Sequence, residues 1–193
     1  MKKSLGLCLL LTGTILLTGC SQKFEPTEST IFVNSKGVVK SAIMESFDKG
    51  YYDFEELKGD AESAVQAYCS ESAADSVVLE SITNENDVVT LMMQYKTVQD
   101  YYEFNDMILF VGTLSEVEAA GYILEDFHDA EGQPVELSEE EKSTLKAVVT
   151  EENVCIQTNG KIRCVSESVE ILDNKLARVM EAGATHPAFV VYK

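Results

Sequence analysis

Val154-Cys155-Ile156-Gln157-Thr158-Asn159-Gly160-Lys161-Ile162-Arg163-Cys164 carries the sharpest turn signal in the chain. Asn-Gly tolerates the two positive φ angles that a type I′ hairpin turn requires. With Asn159 and Gly160 at the tip, Thr158 faces Lys161, Ile156 faces Arg163 and Cys155 faces Cys164. Counting outward from a two-residue turn, the cysteines fall in a non-hydrogen-bonded pair. There Cα atoms approach to about 4.5 Å, a separation that a disulfide accepts. The stretch therefore predicts an antiparallel hairpin with a structural Cys155–Cys164 disulfide. Its Cys-x8-Cys spacing fits neither a redox motif nor a zinc knuckle.

Working outward, the same grammar recurs. Thr30 to Val33 and Val38 to Phe47 read as strands around Asn34-Ser35-Lys36-Gly37, and Val77 to Thr83 and Val88 to Tyr95 as strands around Asn84 to Asp87. A helix follows each hairpin. Asp53, with Glu56 three residues on, caps the first, whose Phe54, Leu57, Ala61, Ala64, Val65 and Tyr68 share a face. Thr97 with Asp100 caps a shorter one ending near Asn105. A shift of fifty residues aligns 31–57 with 81–107 and gives six identities in 27, among them Asn34 with Asn84 and Tyr51-Tyr52 with Tyr101-Tyr102. This suggests a duplicated hairpin–helix unit.

Downstream, Met107 to Thr113 reads as a buried strand, and Ser115 with Glu118 as the start of a short helix. Phe127 to Val135 is loop-like, and Ser138 with Glu141 opens another helical turn. Leu145 to Thr150, Ser168 to Leu172 and Ala188 to Tyr192 complete a strand-rich half. No long βαβ alternation is present. The fold class is α+β: a largely antiparallel sheet built from β-hairpins, with two main helices packed on one face, in a single domain over residues 30–193.

The chain begins with a different kind of pattern. Lys2 and Lys3 precede an uncharged apolar run from Leu5 to Leu17, and then comes Leu17-Thr18-Gly19-Cys20. The run has signal-peptide length and falls short of the ~20 residues that span a bilayer. The four closing residues resemble the lipobox of bacterial lipoproteins. The resemblance implies that residues 1–19 are a signal peptide and that Cys20 is lipidated and becomes the new N-terminus. Cys8 leaves with the peptide. Residues 20–29, polar and holding Pro26, read as a tether whose last nine residues reach at most about 30 Å. The pattern as a whole resembles the uncharacterised small lipoproteins of Gram-positive bacteria. It implies a cell-membrane location on the extracytoplasmic face, with the membrane engaged through the lipid on Cys20.

Charge narrows the function classes. The chain has 33 acidic and 15 basic side chains; without Lys2 and Lys3 the formal charge is −20. That excludes a nucleic-acid footprint and opposes a second contact with anionic lipid. It leaves a membrane-proximal protein or a cationic ligand as possible partners. Trp is absent.

No catalytic set, metal site or cofactor is expected. His128 and His186 lie far apart in the sequence. Asp126, Asp129 and Glu131 near His128 fail an EF-hand register, because Gly132 at the glycine position puts Phe127 at position one. Ser143-Thr144-Leu145-Lys146 spells S-x-x-K without the companion motifs of that chemistry. Cys69 is expected at a helix end, and the two Tyr-Tyr pairs either pack in the core or line a ligand groove. The expectation is a non-enzymatic binding or interaction module. The alternatives are an envelope hydrolase whose fold gathers acids around His128 or His186, and a small solute receptor.

Overall fold

The computed structural model describes residues 24–193. The expected signal peptide (1–19), the lipobox-like stretch and the expected lipidation site Cys20 lie outside the described residues.

The two hairpins form. Strand β1 (Thr30–Val33) turns into β2 (Val39–Ser46), with Asn34 Oδ1 accepting the N–H groups of Lys36 and Val38 and Gly37 at φ +81°. Strand β3 (Val77–Glu85) turns into β4 (Val88–Tyr95) at Asn86 and Asp87, both at positive φ, so the two-residue turn sits at the end of the 84–87 stretch. The hairpins join through an antiparallel β2–β4 pairing in which Ala42 faces Met92, residues fifty apart in the chain. The fifty-residue offset coincides with this pairing at that one pair alone, because in an antiparallel register the separation changes by two at each step. A bulge between Leu79 and Ser81 shifts the outer strand by one residue.

Helix α1 (Phe54–Glu71) starts at Asp53, whose side chain accepts from Glu55 and Glu56 N–H. Helix α2 (Val98–Asn105) starts at Thr97. The expected core face of α1 is only partly buried, and no α1 residue is fully so. The helix rests on β3, the last strand of its sheet, which leaves its apolar stripe half-buried. Helix α2 contacts β3, β4 and β5 (Leu109–Thr113).

The single expected sheet is two. One holds seven strands in the order β10-β11-β8-β1-β2-β4-β3, with β8 (Cys155–Thr158), β10 (Val169–Ile171) and β11 (Leu176–Val179). The other is β5-β7-β12-β9-β6, with β6 (Phe127–His128), β7 (Lys146–Thr150), β9 (Ile162–Ser166) and β12 (Ala188–Tyr192). All pairings are antiparallel except β1 with β8. Strand β11 had no expectation in the sequence.

The Asn-Gly stretch is the corner between the sheets, and the expected β-hairpin is not formed. Cys155 pairs in register with Thr30 and Arg178, whereas Cys164 pairs with Val191. Neither Asn159 nor Gly160 adopts positive φ. Cys155 and Cys164 are buried free thiols, so the Cys155–Cys164 disulfide is absent from this structure. The reason is burial. Strands β8 and β9 each gain neighbours on both sides in their own sheets, and Ile156, Ile162 and Val165 enter the core between the sheets. A two-stranded ribbon would have buried much less apolar surface.

Side-chain alternation shows the layering. On β7 and β12, Val148, Ala188, Val190 and Tyr192 face the seven-stranded sheet. Ala147, Val149, Phe189 and Val191 face the other way, onto Leu114 and Val117 of α3 (Leu114–Ala119) and onto Phe127. The five-stranded sheet is thus buried on both faces, which is why β7 and β12 are nearly continuous apolar runs. Thr113, two residues before the expected cap, begins α3 through a reciprocal capping box with Glu116. Ser138 and Glu141 form the expected box at the start of α4 (Glu139–Thr144).

The described part of the expected tether is packed onto the domain. Phe24 stacks on Phe32 with ring centroids 6.0 Å apart. Arg178 grips Glu28 with two guanidinium bonds of 3.0 and 2.7 Å, and Met44 N–H donates to Ser29 Oγ.

Candidate interaction surface

Strand β2 ends at Ser46, and the chain leaves the sheet at Phe47, whose N–H donates to Asp87 O at 2.7 Å. Asp48, Lys49 and Gly50 break the strand pattern, and a turn closes with Tyr52 N–H to Lys49 O before Asp53 caps α1. This short loop gathers four aromatic rings. Phe47 and Tyr52 stack at 4.7 Å, Tyr51 meets Tyr52 edge-on at 4.9 Å, and Phe47 meets Phe54 edge-on at 6.5 Å. Tyr51 is 79 % exposed and Tyr52 42 %. Val88, paired with Ser46, and Ile43 add exposed aliphatic area on the same strands.

The rim is acidic. Asp48, Asp53, Glu55, Glu56 and Asp87 flank the rings, and the neighbouring Lys49 pairs with Asp48 at 3.3 Å. The Tyr51 hydroxyl, and behind it the Asp48 charge, hold the Tyr52 phenol above its ordinary range. Ring quadrupoles and neighbouring carboxylates both attract positive charge. A scatter of single exposed apolar residues would carry no such meaning.

The second Tyr pair fares differently. Tyr102 is exposed, but Tyr101 is buried, stacks edge-on with Tyr95 at 4.9 Å and donates to Glu152 Oε1 at 2.6 Å. Burial, then the Glu152 charge and hydrogen bond, push the Tyr101 phenol far up. Burial likewise raises the Glu152 carboxyl, and the Tyr101 bond pulls it partly back. Tyr68 on α1 reaches Asp100 and Glu103 at 3.2 and 3.0 Å, tying the two helices together.

The other residues singled out in the sequence do not converge. His128 lies on β6 opposite Val165, and His186 sits in a turn with Gly183, its Nδ1 2.9 Å from Thr185 Oγ1. Asp129 Oδ1 accepts from the N–H groups of Glu131 and Gln133, which shapes its own loop. Among the described residues, no group of three or more His, Cys, Asp or Glu could hold a metal ion. Ser143 Oγ is bonded to Glu140 O. Cys69 is half-buried near the end of α1, with its thiol against Val77 O. Burial pushes the thiols of Cys155 and Cys164 up to about 11 and about 12.

The surface carries open cavities, among them a pair of about 570 Å³ each. One lies under α1, between Val65, Cys69 and the β3 residues Val77 to Leu79. The other is walled by the β8–β9 corner and Leu172 to Asn174. Neither is lined by a histidine. Sequence reading missed the Glu28–Arg178 fork, whose partners lie 150 residues apart. Nothing local to either residue signals it.

No protein-family description, curated protein or solved structure matches the chain. Among the described residues, no helix is long and apolar enough to cross a membrane.

Proposed function

We propose that the protein is a lipoprotein, anchored at Cys20 on the extracytoplasmic face of the cell membrane, that acts as a non-enzymatic interaction module for a cationic partner. The anchor rests on the resemblance of Leu17-Thr18-Gly19-Cys20 to a lipobox. The activity rests on one observation: a cluster of four aromatic rings, Phe47 stacked on Tyr52 and the others edge-on, with Tyr51 79 % exposed, set among carboxylates. In this reading α1 and α2 share one face of the hairpin sheet, supported by the bonds from Tyr68 to Asp100 and Glu103. That arrangement leaves the rings at the start of α1 free.

Lipid labelling in cells should modify the wild-type chain and spare Cys20→Ala. For the surface, the full chain is titrated with an oligo-arginine peptide, following the amide resonances of residues 47–54. Shifts confined to that loop, and lost in Tyr51→Ala/Tyr52→Ala, support the reading. Unchanged binding in the double variant, or no binding, overturns it. Both rings are exposed, so the variant should fold normally.

A further inference from the structure

Strand β3 is the last of its sheet, and β4 pairs with only one of its sides. With Asn86 and Asp87 as the turn, Glu85 and Val88 form the first hydrogen-bonded pair. Residues whose N–H and C=O face β4 then alternate back along β3. The bulge at Glu80 moves this alternation by one residue, which turns the backbone groups of Val77 and Leu79 outward. Two bonds agree with that count. Lys96 N–H donates to Ser76 O at 2.8 Å on the inner side, and the Cys69 thiol of α1 donates to Val77 O at 3.3 Å on the outer side.

The outer side opens into a groove of about 570 Å³ between β3 and α1. Val77, Val78 and Leu79 all line it. Consecutive strand residues point to opposite faces of a sheet, so three in a row share one cavity only along their backbone edge. Val65 and Cys69, both half-buried, form the apolar wall on the helix side. The charged residues of the lining are Glu62 and Asp75, and no lysine or arginine is among them.

An extended chain fits this shape. It would meet the Leu79 N–H and C=O with main-chain bonds and place alternate side chains beneath α1. The site is short, because Glu80 breaks the ladder on one side and Val77 O is already engaged on the other. Charge selects the occupant. A second copy of this chain would set Glu62 and Asp75 against their own equivalents, whereas a lysine or arginine meets them favourably.

We propose that the α1–β3 groove binds a short extended segment of a partner protein, apolar beneath α1 and basic beside it, added as a strand at Leu79. This site is separate from loop 47–54 and does not depend on the anchor. The full chain is titrated with acetyl-Lys-Val-Lys-Val-Lys-amide, following the Leu79 amide resonance and its hydrogen exchange. A shift with slowed exchange at Leu79 is expected, and it should persist in Tyr51→Ala/Tyr52→Ala. Methylating both valine nitrogens of the peptide removes the N–H groups that would face Leu79. Binding should weaken roughly fivefold, the scale of a lost backbone hydrogen bond. Glu62→Gln/Asp75→Asn, both exposed, should weaken it by a similar factor, the scale of two surface charge pairs. N-ethylmaleimide on Cys69 fills the groove and should abolish the response. No response at Leu79, or one equal for the N-methylated peptide or for acetyl-Glu-Val-Glu-Val-Glu-amide, overturns the proposal. So does a response that survives the maleimide or vanishes in the tyrosine variant.

Discussion

Tyr101→Phe removes one oxygen from a packed site and leaves the ring in place against Tyr95. Glu152 then loses the 2.6 Å bond that partly offsets its burial. A hydrogen bond to a charged group contributes about 1.5–3 kcal/mol, and because Glu152 keeps some contact with water the lower part of that range applies. The expected loss is about 2 kcal/mol at pH 7, or about 4–8 °C in Tm for a domain of this size. The pH dependence follows from the raised Glu152 carboxyl. A carboxyl raised on folding favours the folded state below its ordinary value of 4.5, and that advantage is lost as pH rises through the folded value. Losing the Tyr101 bond raises it further, so the penalty is largest at neutral pH and shrinks toward pH 4. Urea unfolding at both pH values, with Tyr101→Phe, Glu152→Gln and the double variant, closes the cycle. A coupling below about 0.5 kcal/mol at pH 7, or a penalty that grows toward pH 4, would refute the reasoning.

Gly160→Ala should cost about 2 kcal/mol or more, since the new Cβ would overlap Lys193 O and a backbone must shift; an unchanged urea midpoint would contradict it. Glu28→Gln should cost only about 0.5–1 kcal/mol, because both partners of the fork are more than a third exposed. Arg178 holds the Glu28 carboxyl below its ordinary 4.5, so that contribution is present above this value and fades as pH falls through the depressed one. Stability curves of wild type and variant that stay parallel down to pH 2 would count against it. Maleimide labelling with peptide mapping should modify half-buried Cys69 first, and Cys155 and Cys164 only on unfolding, their thiols staying protonated at neutral pH. A bridged peptide joining residues 155 and 164 would contradict the structure.

How far the sequence could be read depended on the range of each interaction. Helix starts at Asp53, Thr97 and Ser138 were legible because a capping side chain finds its backbone donors within three residues. The start of α3 was misplaced, since Ser115 and Thr113 offer equivalent caps. The burial of Leu114 and Val117 under the five-stranded sheet selects Thr113. The aromatic surface was half legible. Tyr51-Tyr52 and Tyr101-Tyr102 look alike as text, yet Tyr101 lies in the core while Tyr51 is free on a loop.

By itself, the sequence determined the hairpins β1–β2 and β3–β4, the capped helices, the buried runs of β7 and β12, and the acidity. These rest on alternation, turn chemistry and composition, all local. Tertiary structure alone decided which strands pair across the Asn159-Gly160 corner. A local turn preference there contributes at most a few kcal/mol. Sending Cys155 into one sheet and Cys164 into the other buries both faces of a central layer. Buried apolar area outweighs the turn, and it is summed over partners that lie more than a hundred residues apart, such as Ile31 and Ile156.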